Sequence, residues 1–471
     1  MKLVGRDKEK AQIKEFYNSG KAEFITVLGR RRIGKTFLIK ETLGNNFSFY
    51  FSGSIGKNIT AAYQLRLFDK AIEDYGGNVQ KASKNWADAF YNLKQLVKDE
   101  KNKRQVIFID ELPWLDTPKS DFLPALDYFW NTFASERSDI LLVVCGSAAS
   151  WLVKNLFENK GGLHNRVTGR IWLKPFTLSE SEAFFNELGV VMNRYQIAES
   201  DMIFGGIPYY LNMFAKAYGL TQNVDRLLFA ENAPLRNEFH EVYSSLFKSS
   251  DRHIKIVTEL SKKKYGLTRD EIIRKTGIPG GGNLTKTLSE LEHCGFIDKY
   301  SDFTKKSANT RYRLIDPFTL FWLRYVENNE GKDEYFWTNL IDDGGRRAWS
   351  GFAFEMLCLR HLTQIKSKLG ILGVSTSTAT WQSKNTTPGA QIDLLISRKD
   401  GVINICECKY SVHPFEISSS YAKTLEWKKT AFKMETHAKQ ALHITLVTTY
   451  GVARKGQFTA MQSEVTLDDL F

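Results

Sequence analysis

Apolar and polar positions along this chain fall into three regimes. Over residues 1–225, short runs that are apolar at nearly every position alternate with stretches of helical periodicity. Phe24-Ile-Thr-Val-Leu28, Val106-Ile-Phe-Ile109 and Ile140-Leu-Leu-Val-Val144 are the clearest of these runs. Runs of this length, rich in β-branched residues, predict strands buried on both faces, so the region reads as a parallel α/β sheet with helices between the strands. Residues 226–320 change to short helices with polar connections. Leu267 to Ile278 predicts a capped helix and turn, and Asn283 to Cys294 an amphipathic helix with Leu284, Leu288 and Leu291 on one face. Two short strand patterns flank the polar tip Lys305 to Arg311, completing a helix, turn, helix and wing. Residues 321–471 open on an aromatic-rich stretch and continue as a second α/β region. Its strands are expected over Gln391–Ile396, Val402–Cys408 and Leu442–Thr449, with a turn at Arg398 to Gly401.

The first region carries the most specific chemistry. Gly29-Arg30-Arg31-Arg32-Ile33-Gly34-Lys35-Thr36 fits G-x-x-x-x-G-K-[ST] and lies between the first strand and a helical pattern that begins with Phe37. That context lets backbone N–H groups close around phosphates, with Lys35 reaching the β/γ-phosphates and the Thr36 hydroxyl on Mg²⁺. ATP and Mg²⁺ are therefore the expected cofactors. The second run ends in Asp110-Glu111 at the carboxyl edge of the sheet, where the ligand crevice of an α/β fold lies. Asp110 is the expected Mg²⁺ ligand and Glu111 the group that orients or deprotonates the attacking water. The third run ends at Gly146-Ser147, where Ser147 either senses the γ-phosphate or makes a turn.

Taken with Val4-Gly5-Arg6, Asp110-Glu111-Leu-Pro-Trp114 and Gly205-Gly206-Ile-Pro208-Tyr-Tyr-Leu211, the Arg-rich loop resembles the archaeal-type ATPases of the STAND branch of P-loop NTPases. The resemblance covers roughly the first 220 residues. It implies that Val4, Gly5 and Arg6 lie near the adenine, and that Gly206 and Pro208 belong to a small helical lobe that closes on the nucleotide. Arg166 and Arg170, in His164 to Arg170, fall where the family carries a Gly-Arg before Leu173-Lys-Pro-Phe176. Each is either a γ-phosphate contact across a subunit boundary in a homo-oligomer or a surface arginine.

Charge adds a partner to this picture. Lys plus Arg number 65 against 53 Asp plus Glu, a net charge of +12. Residues 251–315 hold 14 basic and 8 acidic residues, so half of that excess (14 − 8 = +6) falls in this stretch. The wing-and-helix pattern thus reads as a winged-helix module for DNA, or as one that packs proteins together. The five cysteines form no CxxC pair, so neither a disulfide scaffold nor a structural zinc site is expected. Ile140 to Cys145 is the longest strongly apolar stretch, far short of a membrane span, and Arg6, Asp7 and Lys8 precede any apolar run. A cytoplasmic protein without membrane partners is expected.

The third region carries Gln391-Ile-Asp393-Leu-Leu-Ile, a turn, then Ile405-Cys-Glu407-Cys-Lys409. Residues two apart in a strand share a face, so Glu407 and Lys409 project together and a hairpin partner sets Asp393 beside them. Two carboxylates and a lysine on one patch can bind Mg²⁺ and activate water against a phosphodiester, with Glu355 completing the metal shell. The plainer alternative is an ion pair. The pattern resembles the PD-(D/E)xK nuclease core, with Ile392 in place of the motif's proline, and the domain of unknown function that follows archaeal-type ATPase modules. It implies catalytic roles for Asp393, Glu407 and Lys409 in an endonuclease-like α/β domain, intact or degenerate. Two functions stay open: an ATP-dependent enzyme that binds and cuts DNA in defence or DNA processing, or an ATP-driven switch or scaffold whose last domain only binds.

Overall fold

The computed structural model describes all residues except 1, 55, 57–58, 98–102, 159–162, 164, 248, 301–302, 304–309, 330, 384 and 454–459. Of the expected wing tip, Lys305 to Arg311, residues 305–309 lie outside the described residues, as does His164. The chain forms two compact units, Met1–Pro175 and Phe176–Phe471.

In the first unit, helix α1 (Asp7–Asn18) precedes strand β1 (Glu23–Leu28) and helix α2 (Lys35–Leu43). Strands β2 (Phe49–Ser52), β3 (Gln105–Asp110), β4 (Ile140–Cys145) and β5 (Gly169–Trp172) follow. They form one parallel sheet in the order β2-β3-β4-β1-β5. Strands β1, β3 and β4 are buried along their whole length, as their unbroken apolar runs require. The helices Ala61–Asp74, Trp86–Leu96 and Phe122–Thr132 pack Phe68, Trp86, Phe90 and Phe122 into one cluster against the sheet.

The second unit opens with helices α3 (Leu178–Leu188) and α4 (Arg194–Phe204). It continues through α5 (Ser250–Ser261), β6 (Leu267–Thr268), α6 (Arg269–Thr276), α7 (Gly282–His293), β7 (Ile297–Tyr300) and β8 (Arg311–Leu314). The three strands form a small antiparallel sheet ordered β6-β8-β7. A reciprocal cap starts α6: the Thr268 hydroxyl accepts from the Glu271 N–H at 3.3 Å, and the Glu271 carboxylate accepts from the Thr268 N–H at 2.7 Å. Helix α8 (Gly344–Arg360) leads to β9 (Thr376–Gln382), β10 (Gln391–Arg398), β11 (Val402–Lys409), α9 (Ser419–Thr436), β12 (Ala441–Thr448) and β13 (Met461–Thr466). This sheet runs β13-β12-β11-β10-β9, antiparallel from β9 to β11 and parallel from β11 to β13.

The expected boundaries at 225 and 320 fall inside the second unit. Two ion pairs, one buried and one part-buried, tie α4 to α8: Arg346 reaches Glu199 at 2.7 Å, and Arg360 pairs with Asp201. The aromatics of the stretch that opens the third region are mostly core. Trp322, Tyr325 and Trp337 are buried, with Trp337 and Trp349 edge-to-face at 5.5 Å, while Tyr335 is exposed. All five cysteines are buried, and among the described residues none forms a disulfide. Among the described residues, no helix is long and apolar enough to cross a membrane.

Candidate functional site

The loop between β1 and α2 turns on Arg32 and Gly34, both with φ in the left-handed region (74° and 84°). Gly29 is required by close approach: a Cβ there would stand 2.4 Å from both the Leu173 carbonyl oxygen and the Ile33 side chain. Lys35 opens α2 and is buried; its ammonium donates to the carbonyls of Gly29 and Arg30 at 3.0 Å each and reaches Ser147 Oγ at 3.5 Å. The Thr36 hydroxyl donates to Asp110 Oδ2 at 2.6 Å. The other Asp110 oxygen accepts from the Glu111 N–H at 2.8 Å and from the Cys145 thiol at 2.5 Å.

Glu111 leaves the end of β3 with φ 50°, which turns it off the strand. Its carboxylate accepts from the Ser147 hydroxyl at 2.5 Å and from the Ser147 N–H at 3.1 Å. The carboxyl ends of β3 and β4 and the start of α2 therefore bring Lys35, Thr36, Asp110, Glu111 and Ser147 into one hydrogen-bonded network. Burial, helped by the Asp110 charge, pushes the Tyr50 phenol up to about 12 and also raises the Cys145 thiol, so both stay neutral beside Asp110. Arg30 and Ile33 are buried, Arg31 and Arg32 half-buried, and Phe37 exposed. Val4 and Gly5 are half-buried, and Arg6 is buried at the start of α1. A hydroxyl and a carboxylate side by side next to a lysine suit a Mg²⁺ that arrives with a nucleotide.

The second set of residues lies in the last sheet. The β10–β11 register pairs Leu394 with Cys406, and Asp393 and Glu407 are the neighbours of that pair along their strands. Glu407 is almost fully buried, and three groups hold it: Lys428 at 2.7 Å, the Tyr421 hydroxyl at 2.6 Å and Lys409 at 3.2 Å. Burial alone would raise the Glu407 carboxyl, but Lys428 and Lys409 outweigh it and hold the group below the usual carboxylate range. Glu355, on α8, faces Lys264 at 2.7 Å, and the same ammonium stands 3.5 Å from Asp393. Burial and the charge of Asp393 push the Glu355 carboxyl up to about 7. Three carboxylates are the donor type Mg²⁺ takes, yet among the described residues no three His, Cys, Asp or Glu side chains converge as a metal shell. Glu355, Asp393 and Glu407, expected as metal ligands, do not fit a metal in this arrangement, because lysines take up their oxygens.

Residues 3–214 match the family described as an ATPase domain predominantly from Archaea. These residues form an archaeal-type ATPase domain. An uncharacterised protein of Methanocaldococcus jannaschii is 25% identical over 371 residues, covering 77% of this chain and 78% of its own length. A Walker-type ATPase of Pyrococcus abyssi superposes with a TM-score of 0.49 at 17% identity, covering 68% of this chain and 96% of its own. The Aeropyrum pernix ORC2 protein in its ADPNP–ADP complexes gives a TM-score of 0.42 at 14% identity, covering 70% and 95%.

The match of the ATPase domain runs past Pro175 into the second unit, where Gly206 and Pro208 lie. Gly206 accepts the Phe176 N–H at 2.8 Å, and Pro208 opens the short helix Pro208–Leu211. Arg170, on β5, lies over the Phe157 ring at 4.0 Å, while Arg166 is exposed. Sequence reasoning missed Lys264, Tyr265, Tyr421 and Lys428. Only Tyr421 and Lys428 had a local signal, as a helical tyrosine and lysine seven apart, on one face.

Proposed function

We propose that this protein binds and hydrolyses ATP and uses the nucleotide state to govern its second unit. The observation that carries this reading is the Ser147 clamp on Glu111 beside the Thr36–Asp110 pair and Lys35. On this reading Lys35 turns from the Gly29 and Arg30 carbonyls to the β/γ-phosphates, and Thr36 and Asp110 hold Mg²⁺. A Mg²⁺ held by these two side chains would supply charge neutralisation for the transferred phosphoryl group. Glu111, oriented by Ser147, takes the proton of the attacking water. Phosphate release from ATP with Mg²⁺, by the full chain and by the Lys35→Ala protein, tests it; equal release by both overturns the assignment.

The finer reading couples this ATPase to DNA, through a winged helix in 226–320 and a PD-(D/E)xK-like nuclease in 321–471. The helix–strand–helix–helix–strand–strand order of residues 250–314 supports the first part. Asp393 and Glu407 flanking the Leu394–Cys406 pair, with Lys409 at 3.2 Å from Glu407, support the second. Labelled single-stranded, duplex and branched DNA, with Mg²⁺ or Mn²⁺ and with or without ATP, tests both against the Asp393→Ala protein. Cutting that is lost in the variant supports a nuclease; cutting that persists overturns that site.

A switch or scaffold is the second reading, and one observation favours it. Helix α7, the element that would enter a groove, carries Lys286 against Glu290 and Glu292, and Lys286 lies 3.8 Å from Glu290. In the same segment Arg311 pairs with Glu271 and Arg313 with Asp298, so part of the basic excess is neutralised internally. Absence of DNA binding at low salt, with ATP hydrolysis intact, would select this reading.

A further inference from the structure

We propose that Lys264 is a resident cation that holds the Glu355–Asp393 carboxylate pair closed to divalent metal. The inference rests on reading Glu355 and Asp393 as ligands of a metal-dependent nuclease site, and it concerns the regulation of that site. Its ammonium lies 2.7 Å and 2.9 Å from the two Glu355 oxygens and 3.5 Å from Asp393 Oδ1. That is the place between two carboxylates that a divalent cation would take. Both acids are largely withdrawn from water, their side chains 13% and 18% exposed. Two such carboxylates side by side need a positive charge between them. Lysine and metal are therefore alternatives, not partners.

Lys264 is held in place by the small three-stranded sheet. It lies on the turn between α5 and β6, and the next residue, Tyr265, donates its hydroxyl to Asp393 Oδ1 at 3.3 Å. The Tyr300 hydroxyl, from β7, donates to the Tyr265 carbonyl at 2.6 Å. Gly266 closes the turn at φ 58°, with the Tyr312 carbonyl oxygen only 2.0 Å from where a Cβ would stand, so no other residue fits there. Gln391 donates to the same Asp393 oxygen at 2.5 Å. Lys264 and Tyr265 thus belong to one turn, anchored through Tyr265, that presents the ammonium to α8 and β10.

The test measures Mn²⁺ binding by the full chain without nucleotide, from the electron paramagnetic resonance signal of free Mn²⁺. Wild type, Lys264→Met and Lys264→Arg are compared, each with and without Asp393→Asn. The expected result is a site dependent on Asp393 that binds Mn²⁺ at least about tenfold more tightly in Lys264→Met than in wild type, because a mostly buried carboxylate pair has lost its counter-charge. Lys264→Arg keeps the positive charge and should stay with wild type, which separates the charge from the mere change of side chain. Equal Asp393-dependent affinity in wild type and Lys264→Met would overturn the lock while leaving the carboxylate reading intact. No Asp393-dependent Mn²⁺ in any variant would overturn the carboxylate reading, and the lock with it.

Discussion

Replacing Glu111 with glutamine separates the chemistry of the ATPase domain from its architecture. In the native network the carboxylate accepts two hydrogen bonds from Ser147, at 2.5 Å and 3.1 Å. A glutamine still accepts from the Ser147 N–H through its carbonyl. Its amide donates to the Ser147 hydroxyl, which can act as acceptor as well as donor. The geometry therefore survives, and the cost to the fold is the lost charge assistance, about 1 kcal/mol. The amide cannot take a proton from water. Loss of a positioned general base slows a reaction about 10²- to 10⁴-fold, or roughly 2.7–5.4 kcal/mol on the barrier. Single-turnover hydrolysis of radiolabelled ATP should fall by that factor, while the Kd of a fluorescent ATP analogue stays within about threefold of wild type. Single-turnover hydrolysis within about threefold of wild type would refute the role assigned to Glu111.

Lys35→Ala removes a charged donor worth about 1.5–3 kcal/mol, so the Kd for ATP should rise about 10- to 150-fold in a fluorescence titration. Gly29→Ala drives a methyl against the Leu173 carbonyl and Ile33 side chain, both at 2.4 Å. Overpacking of this kind costs about 1–3 kcal/mol, which should lower the calorimetric unfolding temperature by several degrees. Glu355 gives a pH dependence. Its folded-state carboxyl stands at about 7, against an ordinary 4.5, so the folded chain keeps a proton that the unfolded chain releases. Stability should therefore fall as pH rises from about 4.5 to about 7, by on the order of 3 kcal/mol, and level off above. Glu355→Gln should remove that slope in urea denaturation at pH 5 and pH 8, and an unchanged slope would refute the assignment.

What was legible in the sequence is what is local along the chain. The buried runs of β1, β3 and β4 announced themselves because a strand covered on both faces has no polar position to alternate with. The phosphate loop was legible because its glycines, lysine and threonine are contiguous. Asp110 and Glu111 were visible as acids ending an apolar run. The hydrogen bonds among these residues were not, because Ser147 meets Glu111 across 36 positions and Thr36 meets Asp110 across 74.

The carboxylate patch shows the same divide more sharply. Strand periodicity placed Glu407 and Lys409 on one face, and the hairpin placed Asp393 near them. The same pattern left a metal shell and a plain ion pair both open, because carboxylates gathered with a lysine can bind Mg²⁺ or pair with the ammonium. The compensating cations come from elsewhere: Lys428 is 21 positions from Glu407, and Lys264 is 91 positions from Glu355. No local pattern encodes such pairings, since a lysine in a polar turn such as Lys262-Lys-Lys264 reads as solvated surface. Their effect is large, because a buried carboxylate with an ammonium partner and one without differ in charge, proton affinity and capacity for metal. Whether residues 321–471 hold a metal therefore turns on a residue of the 250–315 segment, and motif residues alone, however well placed, do not determine it.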